Sequence, residues 1–334
     1  MDYRTLGRTG VKVSPLCLGC IHFGNRIDEA ASLAIIDAAL DAGINFIDTA
    51  DVYAEGHSER IVGKALSQGG RRHRVVLTTK VFGPMDPDDP NASGTSRRHI
   101  IEGCDASLRR LRTDWIDLYL LHRRDPETPI DESLGALDDL VRAGKVRYVG
   151  TSTVPAWEIV ESLWVSRELG LNRVVCEQPP YNLLDRRIER ELVPMALSHG
   201  IGLMTWAPLA GGLLSGRYRH GRPFPDGRWH SGRDWAKREA TDEAMQVVEG
   251  LVGLAEARGC TPAALALAWT MQQPGITSPI LGPRTPEQLA GCLEALDVAL
   301  TDADRAALDQ IAPPGGMKVP FYRADQWRPH MYRW

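Results

Sequence analysis

Short β-rich runs alternate with longer helix-period stretches along almost the whole chain, and this alternation constrains the fold more than any other feature. The strand runs are Leu16 to Gly19, Asn45 to Asp48, Val75 to Thr79, Ile116 to Leu121, Val146 to Gly150, Val174 to Glu177, Gly202 to Trp206 and Ser278 to Leu281. Amphipathic helices separate them at Ala30 to Ala42, Ser58 to Leu66, Arg97 to Leu111, Ile130 to Ala143, Pro155 to Leu169 and Arg186 to His199, and Pro286 to Leu296 follows the last strand. Asp242 to Arg258 and Pro262 to Gln273 form an extra helical pair between strands seven and eight. Strand and helix alternating eight times predict a parallel sheet with right-handed crossovers. In 334 residues a closed α/β barrel, the (β/α)8 TIM barrel, fits better than an open doubly wound sheet. No strand-to-helix turn carries G-x-G-x-x-G, so the dinucleotide fingerprint of the open fold is missing, and there is no Walker motif. Nothing breaks the pattern before the C-terminus, so residues 1–312 read as one barrel domain and 313–334 as a tail.

Charge and apolar content exclude several function classes. The 39 basic residues against 43 acidic ones give a net charge of −4, which offers no large basic field to nucleic acid. Apolar runs such as Ala263 to Trp269 fall far short of the roughly 20 residues that span a bilayer. The N-terminus lacks a basic start followed by an apolar stretch, so the expected location is cytoplasmic. Six scattered cysteines read as reduced thiols. Cys17 and Cys20 form a C-x-x-C without a second pair at zinc-site spacing, so no metal site is expected. Only six of the basic residues are lysines, which makes each lysine worth inspecting.

Barrel enzymes carry their chemistry on the loops after the strands. Strand two ends in Asp48 with Tyr53 five residues on, strand three ends in Lys80, and strand four runs into His122. Strand five leads to Ser152 and Thr153, strand six to Gln178, and strand seven ends in Trp206. A phenol is a poor proton donor at neutral pH, and a nearby ammonium lowers its pKa by favouring the phenolate. Lys80 would do this for Tyr53, Asp48 would hold the ammonium, and His122 would donate a hydrogen bond to a substrate oxygen gaining negative charge. Singly each residue has a plain structural role: a turn cap, a packed ring, a solvated charge, a locally satisfied imidazole. Together, at three consecutive strand ends, they describe a site that protonates a carbonyl oxygen.

The segments Gly43-Ile-Asn-Phe-Ile-Asp-Thr-Ala-Asp-Val-Tyr53, Leu77-Thr-Thr-Lys80 and Asp117-Leu-Tyr-Leu-Leu-His122 resemble the aldo-keto reductase superfamily. Asp125-Pro-Glu-Thr-Pro129, Gly144-Lys-Val-Arg147, Glu177-Gln-Pro-Pro-Tyr181, Trp206 to Tyr218 and Thr285-Pro-Glu-Gln-Leu289 are similar to the branch holding potassium-channel β subunits and many bacterial reductases. The likeness runs from about Arg4 to Ile311. It implies NADPH-dependent reduction of an aldehyde or ketone to an alcohol, with Asp48, Tyr53, Lys80 and His122 at the family's four catalytic positions and Tyr53 as general acid. It also implies that Ser152 and Gln178 bond the nicotinamide carboxamide, with Thr153 beside them, and that Trp206 stacks on the ring. Ala207, Pro208, Leu209, Ala210, Gly211 and Arg217 would line the pyrophosphate, and Gly282, Arg284 and Gln288 would meet the adenosine end.

The adenine end departs from the family pattern, because Gly291 and Cys292 stand where a Glu-Asn pair is usual. Arg284 offers a planar fork for a 2′-phosphate, which places NADPH ahead of NADH. The same resemblance leaves open a cofactor-binding regulatory subunit with little turnover, but His122 favours the enzyme. Metal-dependent barrel hydrolases would need clustered His and carboxylates that the strand ends lack. The expected partners are a small carbonyl substrate and, as an open alternative, further copies of the chain. His22 and His57 carry no assigned role. The Tyr218 to Arg238 stretch reads as a lid or a surface excursion. The aromatic-basic tail, Phe321 to Trp334, reads as a loop near the substrate mouth or an oligomer contact.

Overall fold

The computed structural model describes residues 1–222, 224 and 240–321, so most of the Tyr218 to Arg238 stretch and the tail past Phe321 lie outside the described residues. A short antiparallel hairpin, β1 (Arg4–Thr5) and β2 (Lys12–Val13), precedes eight strands. These are β3 (Cys17–Gly19), β4 (Phe46–Asp48), β5 (Val76–Val81), β6 (Ile116–Leu121), β7 (Val146–Thr151), β8 (Val174–Glu177), β9 (Gly202–Thr205) and β10 (Ile276–Leu281). They close into a parallel barrel in chain order, β10 pairing with β3. The expected (β/α)8 barrel is the observed fold. The hairpin was not foreseen. It plugs the N-terminal end, with Leu6 and Val13 buried against Cys17, Phe46, Leu118, Leu120 and Met204 inside the barrel.

Helices wrap the outside: α1 (Glu29–Asp41), α2 (His57–Leu66), α3 (Arg97–Leu111), α4 (Ile130–Arg142), α5 (Ala156–Leu169), α6 (Leu192–His199), α7 (Asp242–Arg258), α8 (Pro262–Met271), α9 (Pro286–Leu293) and α10 (Asp302–Ile311). Side-chain oxygens of Asp28, Ser96, Thr241, Thr261, Thr285 and Thr301 cap six of these helices, satisfying N–H groups that the first turn leaves open. Two expectations need correction. The helix drawn from Arg186 begins only at Leu192, because a longer helix would put Pro194 in its interior, without an N–H and against the carbonyl of Arg190. The final helix α10 was missed, although Thr301 and Asp304 form a reciprocal capping box at its start. The pair between strands seven and eight is present. α8 is buried almost throughout, while α7 packs on α8 and on α10.

Alternation along the strands decides what faces the barrel axis. On β5, Thr79 reaches outward to Glu59 of α2 at 2.6 Å, while Lys80 reaches inward to Asp48 of β4 at 2.7 Å. Cys17 falls in the inner cluster and Cys20 in the outer one, so the C-x-x-C does not form one ligand pair. Among the described residues no single helix is long and apolar enough to cross a membrane.

The helix ring leaves little room at some glycines and ample room at others. A Cβ on Gly63 of α2 would lie 2.6 Å from the carbonyl oxygens of Arg110 and Leu111, whereas one on Gly253 of α7 would meet nothing within 4 Å. Gly63→Ala should lower stability by about 1–3 kcal/mol through overpacking against backbone. Gly253→Ala should raise it by roughly 0.5–1 kcal/mol through helix propensity. Urea denaturation of the two variants checks both signs.

Candidate active site

Backbone pairing continues just beyond the strands and anchors the first residues of the mouth. Asp51 N–H donates to the Lys80 carbonyl at 3.2 Å, His122 to Val81 at 2.9 Å, Ser152 to Leu121 at 2.9 Å, Gln178 to Thr151 at 2.9 Å and Trp206 to Pro179 at 2.9 Å. The site therefore starts from sheet geometry rather than from free loops. Lys80, expected at the end of strand three, is the penultimate residue of β5.

Lys80 Nζ uses all three of its donor directions: Asp48 Oδ2 at 2.7 Å, the Thr49 carbonyl at 2.8 Å and the Tyr53 hydroxyl at 3.3 Å. Lys80 and Asp48 side chains are 0% and 4% exposed, so this ion pair is out of water. The second Asp48 oxygen accepts from Gln178 Nε2 at 2.8 Å, a bond that crosses the barrel from the end of β8. Burial pushes the Asp48 carboxyl up against the pull of Lys80 and Gln178. With two donors this close, the pair stands as carboxylate and ammonium. Burial also disfavours the charged Lys80, but Asp48 and Tyr53 outweigh it and the net direction is up.

The expected lowering of the phenol is not the net result. Burial raises the Tyr53 pKa, and the lowering by Lys80 does not cancel it. Tyr53 is therefore a protonated, neutral phenol at pH 7. His122 meets the Tyr53 ring edge-on, with centroids 5.7 Å apart. Burial, Lys80 and Arg123 push its imidazole well below the usual range, so it is neutral at pH 7 and donates from one ring nitrogen only.

Tyr53 opens a strained turn: Ala54, Glu55 and Gly56 have φ of 50°, 55° and 83°. A buried cluster holds this turn from behind. Glu59 of α2 accepts from Thr79 and from Arg110 of α3, whose side chain packs where a Gly56 Cβ would be. Asp51 adds a second buried carboxyl. One oxygen accepts from Val52 N–H at 2.7 Å, and burial together with Glu59 pushes its pKa up to about 8. Sequence reading passed over Glu59 and Asp51. Their only signal was two acids in a segment otherwise rich in buried side chains.

The remaining candidates gather at the same end. Ser152 and Thr153 follow β7, where Ser152 Oγ donates to the Gln178 carbonyl at 3.1 Å and Thr153 has φ of 61°. After β9, Trp206 is half-exposed, Pro208 and Ala210 are buried, Leu209 is half-buried, and Ala207, Ala210, Gly211 and Gly212 all have positive φ. Such a run of left-handed residues curls backbone N–H groups toward one side, a form suited to anions. Gly211 and Arg217 are exposed, and the Arg217 guanidinium lies 5.8 Å from the Tyr218 ring. After β10, Gly282 is exposed near His22, Arg284 is half-exposed, and Gln288 Oε1 accepts from Arg284 N–H at 2.9 Å. Position 291 is open, but Cys292 is turned into the core, so only one of the two departures from the family pattern lies at an outward-facing position. His57 instead lines an outer cavity of about 640 Å³ with Arg26, Arg60, Lys64 and Arg112.

Comparison with known proteins agrees with this geometry. A profile of the Aldo/keto reductase family matches residues 15–313. The "Uncharacterized oxidoreductase YrpG" of Bacillus subtilis (strain 168) is 41% identical over 329 residues, covering 96% of this chain and 98% of its own. The "Probable voltage-gated potassium channel subunit beta" of Arabidopsis thaliana is 39% identical over 305 residues, covering 89% of this chain and 92% of its own. The "Putative voltage-gated potassium channel subunit beta" of Schizosaccharomyces pombe (strain 972 / ATCC 24843) is 38% identical over 304 residues, with 89% and 88% covered. The match spans the barrel strands and the loops that carry Asp48, Tyr53, Lys80 and His122, and the chain belongs to the aldo/keto reductase family.

Proposed function

We propose that this chain reduces an aldehyde or ketone to the alcohol, with NADPH as reductant and Tyr53 as proton donor. The observation that carries this reading is the Lys80 ammonium bonded at once to Asp48, the Thr49 carbonyl and the Tyr53 phenol at the barrel mouth. NADPH, when bound, supplies the hydride. Tyr53 gives its proton to the oxygen of the carbonyl as charge builds there, and Lys80 stabilises the phenolate left behind. Neutral His122 donates a second hydrogen bond to that oxygen.

The residues present suit the cofactor. Gln178 spends its amide N–H on Asp48, which turns its carbonyl oxygen into a fixed acceptor for the carboxamide, with Ser152 and Thr153 beside it. Trp206 offers a flat apolar face to the nicotinamide. The segment Ala207, Pro208, Leu209, Ala210 and Gly211, with positive φ at Ala207, Ala210 and Gly211, together with Arg217, suits the pyrophosphate. Gly282, Arg284 and Gln288 would hold the adenosine end, where Arg284 reads the 2′-phosphate and puts NADPH ahead of NADH. A regulatory subunit that binds cofactor with little turnover is the competing reading, favoured by the names of the plant and fungal relatives. His122 beside the phenol weighs for turnover.

Tyr53→Phe should lower kcat/KM by about 10²–10⁴-fold while leaving the NADPH Kd within about twofold, since the hydroxyl serves the proton and not the cofactor. A carbonyl panel followed by NADPH oxidation, with fluorescence titration for binding, measures both. Lys80→Met should abolish turnover and, by leaving Asp48 buried without its ammonium, cost about 3–5 kcal/mol of stability. Adding Asp48→Asn should recover part of that stability in urea melts and none of the activity. Arg284→Ala should weaken NADPH by about ten- to a hundredfold and hardly change NADH. Equal loss for both cofactors would show that Arg284 does not read the 2′-phosphate and would remove the ground for placing NADPH ahead of NADH.

A further inference from the structure

Glu177 ends β8 with its side chain fully buried, and the cluster at the Lys80 ammonium makes no use of it. Its carboxyl binds one short segment. The Thr151 hydroxyl donates to one oxygen, the Val154 N–H donates to the other at 3.1 Å, and the Thr153 N–H is shared between this carboxyl and the Gln178 carbonyl. The adjacent Gln178 carbonyl takes the rest of the same turn, accepting from Ser152 Oγ at 3.1 Å and Thr153 N–H at 3.2 Å. Between these bonds Thr153 sits at φ 61°, a conformation that a β-branched residue adopts only under constraint. The turn 151–154 is therefore a strained segment tied to the end of β8 by Glu177 on one side and Gln178 on the other.

We propose that ionised Glu177 is a positioning residue that holds turn 151–154 in the shape the nicotinamide end of the cofactor requires, and that its protonation loosens the turn and weakens cofactor binding. This rests on the placement of Ser152 and Thr153 beside the carboxamide. A carboxylate accepts from all three donors with charge assistance. A protonated carboxyl loses that assistance, and one of its oxygens becomes a donor facing Thr151. The charged and titratable groups facing Glu177 are the Arg123 guanidinium, from the loop after β6, and the Cys176 thiol, its neighbour on β8. Burial pushes the Glu177 carboxyl up to about 7, against the pull of its hydrogen-bond donors and Arg123, so the change falls in the physiological range. The ionised form is the one the fold tolerates least, and three donors are spent on keeping it.

Sign follows from that direction. A carboxyl raised in the folded state adds stability below its ordinary pKa and loses it as pH climbs toward about 7. Glu177→Gln imitates the protonated form at every pH. NADPH binding, read by fluorescence, should weaken about fivefold in the wild type as pH falls from 8.5 to 6, beyond any change seen in Glu177→Gln. The 2′-phosphate titrates alike in both proteins and drops out of the difference. The variant should bind at the weaker level throughout. Its Tm relative to wild type should be higher at pH 8.5 than at pH 5.5. Thr151→Val, which keeps the carboxyl but removes one donor, should move the binding midpoint to higher pH. A Glu177→Gln protein with the wild-type pH dependence, or with a Tm difference that ignores pH, overturns the proposal. So does an unmoved midpoint in Thr151→Val. Wild type that binds NADPH equally from pH 6 to 8.5 refutes Glu177 alone, whereas wild type that binds no NADPH at any pH refutes the reductase reading on which it rests.

Discussion

The buried pair of Lys80 and Asp48 is the interaction on which the mouth depends. Taking two charges out of water costs more than their mutual attraction returns unless every remaining donor and acceptor is satisfied. Here it is satisfied, with three partners on the ammonium and two on the carboxylate. Those partners lie on β4, β5, the loop after β4 and the end of β8, and the Asp48 to Gln178 bond joins residues 130 apart. No local segment can build this arrangement, and only barrel closure brings its parts together. An apolar pair of the same volume would often give an equally stable core, so the ion pair is not explained by stability alone.

Strain is distributed in the same way. Among the described residues, six non-glycine positions have positive φ, and five of them lie in loops after barrel strands: Ala54 and Glu55 after β4, Thr153 after β7, Ala207 and Ala210 after β9. The sixth, Arg112, ends α3 as a left-handed cap. Each such residue costs on the order of 1–3 kcal/mol and persists because its surroundings over-determine it. At Ala54 and Glu55 the surroundings are Glu59 and Arg110; at Thr153 they are Glu177 and Gln178.

What the sequence revealed and what it hid divide along the same physical line. Periodicity sees one strand or helix at a time, so eight strands, the inward Lys80 and the residues just past each strand were legible. Features that exist only through contact between distant segments were not. The β1 to β2 hairpin is two residues a side and closes the barrel floor only because Leu6 and Val13 find it. Glu59, Asp51 and Glu177 carry no role in the sequence reading, because only the closed barrel buries them. The direction of the Tyr53 shift was misjudged for the same reason: spacing reveals the neighbouring ammonium but not the loss of water around the phenol. The missed α10 is different, since its capping box was written in adjacent residues.

Burial also decides how much negative charge reaches the reacting oxygen. Asp51 couples to Lys80, and an ionised Asp51 would set a second carboxylate against the ammonium. Held near 8, it carries a proton at neutral pH and leaves Asp48 as the counter-ion. His122 is neutral because Lys80 and Arg123 already supply positive charge beside a dry imidazole. Around the phenol the mouth then has the Lys80–Asp48 ion pair, the Arg123 guanidinium facing Glu177 behind it, and neutral donors in front. A negative oxygen is the charge this field accepts, and a phenolate beside Lys80 is the second. In the proposed reaction, proton transfer from Tyr53 would exchange one for the other without moving charge away from the ammonium. A phenol raised by burial would serve the proposed reaction for that reason: it is a weak acid toward water but a competent one toward an oxygen that becomes an alkoxide at the same place.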